Sequence, residues 1–182
     1  DKVKRFMLEH ESAWHALQHK LVTLVSDYLV AQVAAGAQVV QLFDSWVGCL
    51  GPKEFTRFVA PYLTQIIAKV KQATNRPLIY FAPGSAGYLE LIGALEMDVV
   101  GVDWRNDLTT ADKRLGGRFP LQGNLDPTLL LGPWGYLAEA ALEIIEQGRK
   151  LKSHIFNLGH GILPETPIEN VDKLVRLIKE QR

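Results

Sequence analysis

Five short runs of apolar and β-branched residues punctuate the chain: AQVVQLFD (37–44), PLIYFA (77–82), DVVGVDW (98–104), FPLQGNL (119–125) and HIFNLG (154–159). Each is near the usual strand length of about 5–6 residues, and most are apolar throughout rather than alternating. That is the pattern of strands buried on both faces of a parallel sheet. Between them, apolar positions recur at helical spacing. Leu17, Leu21, Leu24, Val25, Tyr28, Leu29 and Val33 form one stripe within 11–35, closed by Gly36 as a C-terminal cap. Pro52 opens a second helix predicted to run to about Ala73 through Phe55, Phe58, Tyr62, Leu63, Ile66 and Val70. Further helices are predicted over 85–96, from Thr109, from Pro127, and from Pro133 to Gly148. The last begins at Thr166-Pro167-Ile168-Glu169: a Thr cap, Pro at the first helical position and Glu three residues after the cap.

Strict alternation of helices with apolar strands predicts an α/β fold with a parallel sheet and right-handed crossovers. Two architectures compete, an open doubly wound sheet and a (β/α)8 TIM barrel. A nucleotide-binding doubly wound domain calls for a glycine-rich phosphate turn after its first strand, but FDSWVGCLG is no GxGxxG and no GxxxxGK[ST] occurs. A barrel instead calls for polar and functional residues at the C-terminal ends of its strands. Here those ends read Phe43-Asp44-Ser45-Trp46, Phe81-Ala82-Pro83-Gly84, Asp103-Trp104-Arg105, Gly123-Asn124-Leu125-Asp126 and Asn157-Leu158-Gly159-His160, each with polar or small residues. The barrel is the better reading. Five strands do not close eight, so three more must come from other sequence, or a second copy must complete the shape. No linker, repeat or low-complexity segment divides residues 1–182, which read as part of a single domain.

Composition narrows the function classes. Twenty basic and twenty acidic side chains cancel, so the overall field favours neither nucleic acid nor an anionic membrane as partner. Cys49 is the only cysteine, which excludes an intrachain disulfide and a Cys-rich zinc site and favours a reducing compartment. The charged N-terminus, DKVKRFMLEHES, lacks the apolar core of a secretory signal. No apolar run reaches the roughly 20 residues that span a bilayer, so a soluble protein is expected.

His160 is the first candidate for chemistry. It lies at a strand end between Gly159 and Gly161, which let the backbone turn and a ligand approach. Its imidazole can meet a carboxylate or shuttle a proton; the alternative is a loop histidine bonded to a neighbouring carbonyl. Ser45 lies at another strand end without a GxSxG elbow, which favours a hydrogen bond to an anionic ligand over covalent catalysis, with a plain turn cap as the alternative. Phe43, two residues earlier, shares its side of the strand and reads as a cavity wall or barrel core. Asp126 before Pro127 reads as a helix cap, Asp103 as a structural ion-pair partner of Arg105 or a neighbour, and Asn124 and Asn157 as hydrogen-bonding groups across adjacent strand ends. His15 and His19 have metal-compatible i, i+4 spacing but no third ligand, which favours a solvated helix face.

With these residues in view, GAQVVQLFDSWVGCLGPKEF (36–55), VVGVDWR (99–105), LQGNLDP (121–127) and NLGHG (157–161) resemble, in order and spacing, the C-terminal half of the uroporphyrinogen decarboxylase family. The resemblance implies a (β/α)8 barrel of which this chain carries strands four to eight, a homodimer, and no metal or organic cofactor. It implies decarboxylation of the four acetate arms of uroporphyrinogen III to give coproporphyrinogen III for haem or chlorophyll synthesis, in the cytoplasm, or in the plastid of a plant or alga. Ser45 and His160 match family residues that bind substrate carboxylates, and Phe43 matches a cavity-wall aromatic. The family's Arg-rich RQAGRY-type strand end, pyrrole-facing Asp and substrate-binding Tyr belong to its N-terminal half, and no RQAGR-like stretch occurs here. The N-terminal half of the same barrel is therefore an expected partner, and the chain alone is expected to be inactive. Two other readings stay open: a zinc-dependent corrinoid or thiol methyltransferase on the same barrel, and a non-catalytic half that binds tetrapyrrole or a partner chain.

Overall fold

In the computed structural model, which describes residues 2–181, five strands lie side by side in chain order and every neighbouring pair is parallel. They are β1 (Val40–Phe43), β2 (Leu78–Phe81), β3 (Val99–Gly101), β4 (Leu121–Leu125) and β5 (His154–Leu158). Parallel neighbours need a crossover, and helices supply each one. Helices α1 (Lys2–Glu9) and α2 (Glu11–Ala34) precede β1; α3 (Pro52–Phe58) and α4 (Ala60–Ala73) join β1 to β2. Next come α5 (Leu89–Gly93), α6 (Leu108–Arg114) and α7 (Trp134–Gly148), one per crossover, and α8 (Ile168–Glu180) follows β5.

The two faces of the sheet differ. Val40, Leu78, Tyr80, Val100 and Leu121 point outward into the main core, where they meet Val22 and Leu29 of α2 and Ile66, Ile67 and Val70 of α4. A second cluster, Leu125, Leu130, Leu137, Ala141 and Leu174, seats α7 and α8 against the β4–β5 side. On the other face the register aligns Gln41 with Ile79 and Val99, Phe43 with Phe81 and Gly101, and Gln122 with Ile155. This face is concave, because a side chain of β4, Gln122, reaches one of β1, Gln41. The arrangement is five staves of a (β/α)8 barrel. Strands β2, β3 and β4 are buried along their length, as their apolar runs predict. The outer strands β1 and β5 are only partly buried, and β5 alternates between half-buried and exposed positions.

Several helices depart from the sequence reading for local reasons. The helix expected over 52–73 is two helices, broken at Val59, because Pro61 lacks an N–H and its ring clashes with the carbonyl four residues back. Residues 85–96 contain only a 3-10 turn (Ser85–Tyr88) and the short α5, and Pro127 likewise starts a 3-10 turn, Pro127–Leu131. Helix α6 is capped by Asp107, which accepts from the Thr110 amide at 2.8 Å, and begins at Leu108, one residue ahead of its expected start. Thr166 does not cap α8: its hydroxyl accepts from the Leu163 amide at 3.2 Å, and Pro167 precedes the first helical residue. Helix α1 has no counterpart in the sequence reading; Met7 and Trp14 pin it and the start of α2 against Phe58.

Candidate functional site

Because the strands are parallel, all five C-terminal ends meet one rim, and the candidates Phe43, Ser45 and His160 all lie there. At the β1 end the residues alternate. Phe43 faces the concave side, exposed, with its ring edge-on to Phe81 at 6.1 Å. Asp44 turns the other way and accepts from the Tyr80 hydroxyl at 3.1 Å. Burial raises the Asp44 carboxyl above the usual range, and the Tyr80 bond only partly offsets this. Burial likewise raises the Tyr80 phenol, reinforced by the Asp44 charge. Ser45 and Trp46 form the exposed turn that follows. That turn is held from behind: the Tyr88 hydroxyl, pushed up to about 12 mainly by burial, donates to the Val47 carbonyl at 2.8 Å, and Phe55 stacks on Tyr88 at 4.8 Å. No hydrogen bond engages the Ser45 hydroxyl among the described residues, so it is not the turn cap that the sequence left open.

The β3 end is the most tightly built part of the rim. Asp103 is buried and accepts four hydrogen bonds. Its Oδ1 takes the Arg105 amide at 3.1 Å and Asn106 Nδ2 at 3.0 Å, while Oδ2 takes the Gly84 amide at 2.5 Å and Arg105 Nη1 at 3.1 Å. Gly84 presents its N–H from a φ of +78°, a conformation that favours glycine. The expected Asp103–Arg105 pair is thus present, as one bond of a larger network. Asn124 extends it from β4, donating to the carbonyls of Asp103 at 3.0 Å and Asn106 at 2.5 Å. Asn157, its register partner, bonds instead to the amide of Leu158 beside it. Asp126 caps the turn after β4 by accepting from the Thr128 amide at 2.9 Å, as expected.

His160 stands exposed after β5, edge-on to the Trp104 indole with ring centroids 6.1 Å apart. The Arg105 guanidinium lies over the same indole at 3.9 Å. The glycines beside His160 do different work from that expected. A Cβ on Gly159 would lie 2.5 Å from the Trp104 nitrogen, so Gly159 gives way to the protein's own backbone. Around Gly161 there is open space. The structure therefore joins His160 to Trp104, Arg105 and Asp103, and Phe43 to Phe81. Among the described residues no hydrogen bond or ring contact links His160 to Ser45 or Phe43, which occupy the other lateral end of the rim. Trp104 and Arg105 are the neighbours that sequence reasoning missed. The one available signal was Gly159, a residue without a side chain two strands away from Trp104 in the sheet.

Other groups resolve as structural. The helix face of His15 and His19 is solvated only in part: His19 is exposed and packs edge-on against Tyr62, whereas His15 is half-buried, its Nδ1 meeting the Tyr62 hydroxyl and its Nε2 lying 3.2 Å from Glu11. Among the described residues no group of three or more His, Cys, Asp or Glu side chains is placed to hold a metal ion. His154 is half-buried under α7, donates from Nε2 to the Gly123 carbonyl at 2.7 Å, and burial lowers its pKa. No helix is long and apolar enough to cross a membrane among the described residues.

Comparison with known proteins gives a consistent picture. Residues 1–181 match the family model described as uroporphyrinogen decarboxylase (URO-D). The chain is 45% identical over 179 residues to uroporphyrinogen decarboxylase of Chloroflexus aggregans, covering 97% of this chain and 50% of that protein. It is 41% identical over 181 residues to that of Solibacter usitatus, covering 100% of this chain and 52% of the relative. The chain thus spans about half the length of the curated relatives it matches. Among solved structures, a methyltransferase from Methanosarcina mazei superposes with a TM-score of 0.74 at 26% identity, over 87% of this chain and 47% of the other.

Proposed function

The chain belongs to the uroporphyrinogen decarboxylase family, and on that premise we propose that residues 1–182 form the C-terminal part of a barrel that decarboxylates the four acetate arms of uroporphyrinogen III, yielding coproporphyrinogen III. The observation that carries the reading is the placement of Ser45 and His160 on one rim of five parallel strands, within a chain that matches the family over residues 1–181.

Loss of carbon dioxide from an acetate arm needs an electron sink. Protonation of the adjacent pyrrole supplies one. The electron pair of the breaking C–C bond flows into the cationic ring and carbon dioxide leaves; a proton then adds to the former acetate carbon to complete a methyl group, and the ring gives back the proton it took up, so one proton is consumed for each carbon dioxide lost. A carboxylate near the pyrrole N–H groups stabilises the cation, and none of the residues described above takes that role. What this chain contributes is binding and orientation. His160 and the unengaged Ser45 hydroxyl meet acidic arms, Phe43 supplies an apolar wall for the macrocycle, and no metal or organic cofactor takes part. The working protein is a cytoplasmic homodimer, plastidic in a plant or alga, with the N-terminal half of the barrel completing the site.

The test is reconstitution. Mixed with the N-terminal half of the barrel, the chain should form coproporphyrinogen from uroporphyrinogen, and neither half should do so alone. Halves that associate but show no turnover would sink the decarboxylase reading. The likeness to a methyltransferase gives weight to a second reading, metal-dependent methyl transfer on the same fold. Stoichiometric zinc in the purified protein would favour it.

A further inference from the structure

We infer that Arg105 is a second carboxylate-binding group of the rim, paired with His160 through the Trp104 indole; the inference rests on the tetrapyrrole reading above and adds a residue to it. Arg105 spends one side-chain donor inside the protein, Nη1 to Asp103 at 3.1 Å, and its side chain is 53% exposed. Its Nε and Nη2 have no hydrogen-bond partner among the described residues. The guanidinium does not sweep solvent as a free surface arginine does, because its central carbon sits over the Trp104 ring, 3.9 Å from the centroid, and it is tied to a buried carboxylate. A planar fork with its orientation fixed and donors to spare is suited to another planar anion.

Asp103 does not cancel that charge. Its two oxygens are shared among four donors, of which the guanidinium is one, so it acts chiefly as the anchor of the loop. The indole meets two groups at once, Arg105 on its face and His160 at 6.1 Å and nearly perpendicular. Two donors within one indole's width suit neighbouring acid arms on a single pyrrole. On the α7 side, Arg105 also borders an open cleft of about 330 Å³ with Asp107, Asp126 and Glu143 on its wall. Those carboxylates repel an acid arm, which leaves the approach from the His160 side.

The test uses this chain joined with the N-terminal half of the barrel, and the stable oxidised macrocycle uroporphyrin III, titrated by absorbance at several salt concentrations. The unaltered chain should bind, and Arg105→Met should weaken binding by about ten- to a hundredfold and flatten its salt dependence, the cost of losing a charge-assisted hydrogen bond. Arg149→Met, just past the C-terminal end of α7 and away from the rim, should bind as the unaltered chain does. Wild-type affinity in Arg105→Met overturns the assignment and leaves the tetrapyrrole reading standing. Absence of uroporphyrin binding by the unaltered reconstituted barrel overturns both. If Arg105→Met does not fold, Arg105→Lys decides: it keeps the charge and loses the fork, and undiminished affinity there rejects the planar contact.

Discussion

Gln122 on β4 donates from Nε2 to Oε1 of Gln41 on β1 at 3.0 Å, although two strands lie between them. Laid flat, third-neighbour strands would stand roughly 14 Å apart at the usual inter-strand spacing of about 4.8 Å. The sheet must therefore curl until their side chains meet across its hollow. Gln122 is almost fully buried, so removing one partner strands the other amide. Gln122→Leu should cost about 1–2 kcal/mol in urea unfolding, and adding Gln41→Leu should recover part of it. Strictly additive losses would mean the two amides do not cooperate.

Asp103→Ala should be among the most damaging single changes at the rim. It removes the acceptor of four hydrogen bonds, including the Gly84 amide that joins the β2 and β3 ends. A loss of about 3 kcal/mol is expected, read from the urea midpoint at unchanged slope. A loss under about 1 kcal/mol, within the range of ordinary mutations, would mean the network relaxes without it.

The glycines around His160 offer a matched pair. Gly159→Ala forces a methyl group against the Trp104 backbone and should cost about 1–3 kcal/mol, with a change in tryptophan fluorescence as the indole shifts. Gly161→Ala enters open space and should stay within about 0.5 kcal/mol of the parent. Equal effects at the two positions would show that Gly159 does not make the close approach.

His154 sets an acid limit to stability. Its folded pKa lies below the ordinary 6.5 because burial disfavours the cation. The unfolded chain therefore takes up a proton first as pH falls. The contribution is full above pH 6.5 and is lost as pH drops through the lower, folded value. The melting temperature should fall between about pH 7 and pH 5, the range in which histidine titrates, and His154→Gln should flatten that limb. A variant as acid-sensitive as the parent would assign the limb to other groups.

In the reconstituted barrel, Ser45→Ala and His160→Asn should each raise KM by about tenfold while kcat stays within a few-fold, the mark of lost ground-state and transition-state binding alike. Steady-state kinetics on uroporphyrinogen separates the two parameters. Abolished turnover in a folded Ser45→Ala protein would make the hydroxyl more than a binding group.

Much of the fold was legible because the strands lie in mostly apolar runs and the longer crossover helices, α4 and α7, carry apolar stripes of helical spacing. All five strands fall within the runs read from sequence. Helix boundaries were less legible where one residue overrides a stripe, as Pro61 does by dividing 52–73. At the site, the position of Ser45 and His160 on a common rim follows from parallel order alone. The identity of their neighbours does not. Trp104 meets His160 across an intervening strand, through a contact that depends on sheet curvature and on the missing side chain of Gly159. Periodicity carries no information about either.

The coincidence of spatial and sequential strand order bears on how such a protein can be divided. Among the described residues each strand pairs with its sequence neighbour, so severing the polypeptide in a loop between a helix and the next strand parts the sheet along a single ladder of backbone amides and carbonyls. Gene fission, circular permutation and duplication of such units are then topologically free. They are limited by how well the exposed ladder finds its complement before it finds a copy of itself.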